Sequence, residues 1–254
     1  EFNLRGTFNL LMAVRDGAPN VRRFAYASSD AVYHSGRPAD CLPVDETHPR
    51  LAGSIYGASK IGAEEMNLTF WRAYGIPATN LRFGATLDAE ELVQPHSVFA
   101  RWIYLSEMIA YLGKLPALSP AQEESLRMLQ AAYDGQEQLV VATDAAGNPE
   151  VRQWGDARDV AEGCFLTLEN GAATGEAFNL GGCAPFTNAE LAGHLSKRLG
   201  LPVLRLALPM YRPAWYISSA KARGLLGYVP QHTVFSMIDE ALSPGPSPAR
   251  AGEG

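Results

Sequence analysis

Ala27-Ser28-Ser29-Asp30-Ala31-Val32-Tyr33, a loop closing on Asp45-Glu46-Thr47-His48-Pro49, and then Tyr56-Gly57-Ala58-Ser59-Lys60 form the stretch on which the reading of this chain turns. The apolar run Phe24-Ala25-Tyr26-Ala27 leads into the serines. It predicts a buried strand, from Arg23 to Ala27, that delivers a hydroxyl at its carboxyl end, where open parallel sheets bind their ligands. Past the loop a helical pattern runs from about Tyr56 to Tyr74 and stops at Gly75 and Pro77. Tyr56 and Lys60 therefore share one face of that helix, one turn apart. A hydroxyl, a phenol and an ammonium converging on one pocket can move a proton off an alcohol.

The chemistry of the trio follows from ordinary ionisation. A phenol titrates near ~10, too high for a general base at neutral pH. A neighbouring cation favours the phenolate and brings it toward working range. Lys60 supplies that charge and has donors left for a cofactor sugar, while Ser29 holds the reacting oxygen. A bare Tyr-x-x-x-Lys is weak by itself; the serine-bearing strand ahead of it is what sharpens the reading.

Ser28-Ser29-x-x-Val32-Tyr33, Glu46-x-x-Pro49 and Tyr56-Gly57-x-Ser59-Lys60 together resemble the extended short-chain dehydrogenases/reductases, the NAD-dependent nucleotide-sugar epimerases and dehydratases. The similarity runs roughly from Asn3 to Leu242 and is most specific in its middle. It implies an α/β fold: part of a Rossmann-type doubly wound parallel sheet with a smaller C-terminal substrate-binding subdomain. It implies NAD or NADP as cofactor and a nucleotide sugar or other small molecule as substrate. Ser29, Tyr56 and Lys60 take the catalytic positions, and the helix that starts at Tyr56 often forms a homodimer face.

Composition agrees with this class. The chain has 47% hydrophobic residues and a formal charge of -6, with no apolar run of roughly 18 residues. That pattern speaks against a membrane span, and mild acidity gives no support for nucleic-acid binding. Cys41, Cys164 and Cys183 are unpatterned, which fits a reduced, cytoplasmic compartment without a disulfide framework. The five histidines show no metal-ligand spacing.

The opening of the chain is unusual. Residue 1 is Glu, and Asn3-Leu4-Arg5-Gly6-Thr7 runs straight into a helical pattern with Gly17 as its stop and Pro19 beyond. This is similar to the family's Asn-x-x-Gly-Thr helix, which follows four strands of the cofactor domain. No Gly-x-Gly-x-x-Gly occurs in the chain. The expectation is a protein lacking those first strands and inert in isolation. On this reading residues 1–86 are the rest of the cofactor domain, 87–150 a lid segment, 151–182 a return to the sheet, 183–242 the substrate subdomain and 243–254 a disordered tail.

The remaining site candidates carry two readings each. Asn3 approaches the nicotinamide or is an ordinary buried polar residue, and Phe83 contacts the cofactor or belongs to the core. Asp30 binds substrate or merely makes a turn. The dehydratases carry a second acid where Ala31 stands, which counts against dehydration. The resemblance implies that the Phe83-Gly84-Ala85-Thr86 loop lies against the nicotinamide and the substrate, with Ala85 as a substrate contact. Arg152, within Arg152-Gln153-Trp154-Gly155-Asp156-Ala157-Arg158-Asp159-Val160-Ala161, matches the arginine that grips the substrate diphosphate in this family; a surface ion pair is the alternative. Asp159 reads as a helix cap with Glu162 completing the box. Val98, Trp102, Leu105, Ile109 and Leu112 make a core stripe at helical spacing, and Ser119-Pro120-Ala121-Gln122 opens a second helix.

Two rivals to a sugar-nucleotide epimerase stand: a reductase of a small ketone or alcohol, and a non-catalytic dinucleotide sensor or scaffold on the same fold. An intact trio disfavours the second.

Overall fold

Three parallel strands carry the site. In the computed structural model, which describes residues 2–18, 20–33 and 38–243, β1 (Phe24–Ser29), β2 (Ala78–Phe83) and β7 (Ala177–Leu180) lie side by side in that order, with Ser29 opposite Phe83 and Arg82 opposite Asn179. Their carboxyl ends therefore open on one edge. After a π-helical turn, Phe2–Gly6, helix α1 (Thr7–Gly17) packs on the crossover helix α2 (Ile55–Tyr74) that joins β1 to β2. Ser54 caps α2 by accepting the Gly57 N–H, and Gly75 closes it at φ 71°, where a side chain would be strained.

The rest builds a second body of short elements. β3 (Ala85–Leu87) precedes α3 (Leu105–Gly113), α4 (Pro120–Ala132) and β4 (Leu139–Thr143). β5 (Val151–Arg152), β6 (Trp154–Asp156) and α5 (Ala157–Glu169) return the chain to β7. β8 (Phe186–Thr187), α6 (Asn188–Leu199), β9 (Val203–Ala207), α7 (Ala220–Leu226) and α8 (Val234–Ala241) complete it. β3 pairs with β6 and β4 with β9 in parallel, and β5 pairs antiparallel with β8. Leu81, Phe178, Leu180, Ala222, Leu226 and Tyr228 form the core behind the sheet, so α7 packs on the sheet although it belongs to the stretch 183–242. Leu105, Met108, Leu112, Leu129 and Val140 form a separate core under α3 and α4.

Several boundaries differ from expectation for identifiable reasons. β1 runs on to Ser29, because its ladder with β2 continues through Ser28 and Ser29. The stripe before α3 is not all helical: the chain turns through two short 3₁₀ segments there, Val98 is 58% exposed, and Trp102 packs against the core while also lining a cleft. The buried face of α2 is made by Ala63, Glu64, Asn67 and Phe70, while Ile61, Leu68 and Trp71 are only half-buried. The cap of α5 is Asp156, which has the extended backbone a cap needs and accepts the Arg158 N–H at 2.7 Å. Asp159, inside the first turn, instead binds His232 through its backbone N–H (2.9 Å) and Nδ1 (2.8 Å). The capping boxes at Ser119 and Thr187 form as expected. Pro19 and the tail from residue 244 lie outside the described residues. Among the described residues, no helix is long and apolar enough to cross a membrane.

Candidate active site

Ser29 ends β1 in extended conformation and caps the 3₁₀ turn Asp30–Val32: its Oγ accepts the Ala31 N–H at 3.1 Å and donates to Asp30 Oδ1 at 3.3 Å. α2 sits directly on this turn. A Cβ added at Gly57 would stand 2.1 Å from the Ala31 carbonyl oxygen, so only glycine lets the first turn of α2 come this close. The Tyr-Gly pair thus brings Tyr56 to the carboxyl end of β1. Tyr56 is 51% exposed.

Lys60, one turn on, donates from Nζ to the Ala27 carbonyl at 2.7 Å. Its ammonium lies 5.0 Å from the Tyr26 ring centre and 5.6 Å from that of Tyr56, within cation–π range. Burial lowers its pKa, and the negative charge of Glu64 opposes that shift. Tyr26 beneath it is pushed up to about 12, chiefly by burial. An exposed phenol and an ammonium with two N–H groups beyond its bond to Ala27 suit a sugar diol and a reacting oxygen. The other predicted cofactor residues are placed differently. Asn3 donates from Nδ2 to Ser59 Oγ at 2.9 Å, and Ser59 in turn donates to the Tyr56 carbonyl at 2.7 Å, so Asn3 buttresses α2. Phe83 is half-buried beside Ser29 and packs against the core behind the sheet.

Asp30, Ala85 and Arg152 come from three distant parts of the chain and line one cleft of ≈ 240 Å³. Asp30 both begins the turn and faces the cleft, where Trp215 Nε1 donates to its Oδ2 at 3.2 Å. Burial raises its carboxyl pKa; the bonds from Trp215 and Ser29 oppose the shift. Arg152 lines the cleft and pairs with Glu150 at 2.5 Å, an ion pair that is largely buried rather than on the surface.

Sequence reasoning missed Arg101, Trp102, Arg212 and Trp215, all in the same cleft wall. Arg101 stacks over Trp102 (5.1 Å) and Tyr111 (4.7 Å), and Arg212 over Trp102 (4.3 Å). Arg212 has its pKa lowered by burial first and by Arg152 second. The Arg101 Nε is buried without a hydrogen-bond partner. Three guanidinium groups against the carboxylates of Glu150 and Asp30 give the cleft wall an excess of positive charge. The same wall borders a second cavity of ≈ 370 Å³ under α3 and α4, lined in part by Met108, Tyr111, Gln122 and Met210. The run Tyr211-Arg212-Pro213-Ala214-Trp215-Tyr216 is the one local signal, aromatic and basic residues packed around a proline.

A parallel sheet that presents a serine at its carboxyl edge to a tyrosine and lysine on the next helix is the layout of a Rossmann-type short-chain oxidoreductase. Comparison with known proteins narrows it. The family model described as GDP-mannose 4,6 dehydratase matches residues 1–134. A short-chain dehydrogenase/reductase superfamily protein from Agrobacterium tumefaciens, solved with bound NAD, is 31% identical, with TM-score 0.86 over 94% of this chain and 71% of that one. This chain belongs to the extended short-chain dehydrogenase/reductase family. The UDP-glucose 4-epimerase of Corynebacterium glutamicum is 27% identical over 94% of this chain and 67% of its own length. A 4-hydroxy-2-methyl-3-oxo-4-farnesyl-3,4-dihydroquinoline-1-oxide ketoreductase from Stigmatella aurantiaca is 28% identical, over 96% and 71%. The chain thus spans about two thirds of the length of these relatives.

Proposed function

We propose that the chain supplies the proton-transfer and substrate-binding groups of an NAD(P)-dependent enzyme that moves hydride at a carbinol carbon of a nucleotide sugar, as an epimerase does. One observation carries this reading: Asp30, which accepts a hydrogen bond from Ser29, lines the same cleft as Arg101, Arg152 and Arg212. A reacting hydroxyl at one end and a diphosphate at the other would be held by a single ligand. The names of the relatives support it.

The residues present fit the nicotinamide-ribose end of a dinucleotide, because Tyr56 is open to a ligand and Lys60 stands at the strand end with donors to spare. Bound NAD or NADP would supply the hydride acceptor. Tyr56 takes the proton from the substrate hydroxyl, Lys60 stabilises the resulting phenolate, and Ser29 donates to the oxygen as it becomes a carbonyl. The same groups return the proton when hydride comes back to the opposite face. Asp30 and Ala85 bound the sugar, and the guanidinium groups hold the diphosphate through forked, charge-assisted bonds.

A second reading is favoured by the Glu150–Arg152 ion pair, which already neutralises one cation. It is reduction of a small uncharged ketone, and the ketoreductase relative supports it. Calorimetric titration with nucleoside diphosphates and with uncharged ketones separates the two. Binding of a nucleoside diphosphate supports the first reading; binding of ketones alone replaces it with the second.

A further inference from the structure

Glu64 is a charged side chain near the trio that the proposed chemistry leaves unused. It is 0% exposed. Its carboxylate accepts Ser28 Oγ at 2.7 Å, Arg82 Nε at 2.9 Å, Arg82 Nη2 at 2.8 Å and Arg50 Nη1 at 3.1 Å. Four donors on one buried carboxylate satisfy its hydrogen bonding, but burying such a pair is costly and usually adds little net stability. Fold stability is therefore a poor account of why a charge sits here.

Its position gives a better one. Lys60 and Glu64 lie one turn apart on α2 and take hold of consecutive residues of β1, Ala27 through its carbonyl and Ser28 through its hydroxyl. Ser29 follows immediately, and strand alternation turns its side chain to the opposite face, where its Oγ meets Asp30. The two clamps fix the end of β1 against the helix that carries Tyr56. Arg82 extends the clamp: its Nη1 donates to Tyr33 Oη at 2.8 Å, and Tyr33 donates to Asn179 Oδ1 at 2.9 Å, tying β2 and β7 into the same network.

We propose that Glu64 is a positioning residue for this site, which holds Ser28 and so aligns Ser29, and whose negative charge, one helical turn from Lys60, favours the ammonium form beside Tyr56. The inference rests on the reading of Lys60 given above. The charged and titratable groups facing the ammonium are Tyr26 from β1 and Tyr56 and Glu64 from α2; Glu64 is itself faced by Arg82 from β2 and Arg50 from the loop before α2.

The test follows Lys60 itself rather than turnover, so its failure is distinct from failure of the hydride-transfer reading. The chain has four lysines, Lys60, Lys114, Lys197 and Lys221, few enough to resolve by NMR after ¹³C reductive methylation, with Lys60→Arg identifying its signal. In Glu64→Gln the Lys60 titration midpoint should fall by roughly one to two pH units, the scale of a unit charge removed from about 6 to 12 Å away at an effective dielectric of about 20. A merely structural Glu64 predicts the opposite sign: loosened packing admits water, and the midpoint rises toward the free value near ~10.4. An unchanged or raised midpoint in folded Glu64→Gln overturns the proposal. If that variant does not fold, Arg50→Met decides. It strips one counter-charge from Glu64 and should raise the Lys60 midpoint by a few tenths of a unit; no change there overturns the proposal equally.

Discussion

Trp215 Nε1 donates to Asp30 Oδ2 across 3.2 Å, joining two residues 185 positions apart in the chain. The bond sets an indole beside Asp30 in the cleft wall and gives the carboxylate a donor. His48 packs edge-on against both Trp215 (ring centres 6.4 Å apart) and Tyr33 (5.7 Å), so the loop before α2 braces the same contact.

Asp30 should make stability depend on pH. Its folded pKa is raised above the ordinary 3.8, with burial the main cause. The folded state therefore binds the proton more tightly than the unfolded chain, and the sign is the reverse of a salt-bridged acid: stability is lost as pH rises from 3.8 through the folded value. Asp30→Asn keeps an acceptor for Trp215 and removes the charge. It should raise the melting temperature at pH 7, and the gain should shrink toward nothing near pH 3.8. Calorimetry at both pH values checks this; a gain equal at the two would contradict it.

Gly57→Ala should be severe for so small a change. The new Cβ would lie 2.1 Å from the Ala31 carbonyl oxygen, a backbone atom that moves only with its turn. Overpacking of this kind costs ~1–3 kcal/mol, and relief requires α2 to lift Tyr56 away from Ser29. Urea denaturation should show the loss, whereas Gly113→Ala, where nothing lies within 4 Å, should stay near the parent.

Tyr56→Phe should reduce turnover by at least ~100-fold, the usual scale of losing a general base. Cofactor binding should be nearly intact, because the lost hydroxyl serves the proton transfer. The chain spans 71% of the Agrobacterium relative, so turnover is best measured in a chimera carrying that relative's remaining residues. Parent-level turnover in the variant would remove Tyr56 from the mechanism.

Arg152→Met keeps much of the side-chain bulk and loses a forked contact to a diphosphate. Charge-assisted bonds are worth ~1.5–3 kcal/mol, or roughly 10- to 150-fold in affinity. Nucleoside diphosphates should weaken by that factor in calorimetric titrations, and dinucleotide binding should change little. Arg101→Met should weaken the same ligands, since its guanidinium shares the cleft wall. Unaltered affinity in both variants would place the diphosphate elsewhere.

What the sequence determined by itself was local. The strand leading to the serines, the one-turn spacing of Tyr56 and Lys60, and the helix opened by Ser119 follow from periodicity and hydrogen bonds within a few residues. Such signals survive without knowing where the rest of the chain goes. The cleft did not follow. Arg101 carries no motif and Arg212 only the aromatic and basic run around Pro213, and the two meet on one indole, Trp102, from distant stretches of the chain. The cap of α5 was misplaced by one turn because Asp156 and Asp159 are equally suited by type, and only the backbone angles and the distant His232 separate them. Glu64 reads in sequence as one acid on a helix. Its burial and four donors exist only once Ser28, Arg50 and Arg82 converge from three elements, because desolvation and charge pairing are properties of neighbours in space rather than along the chain.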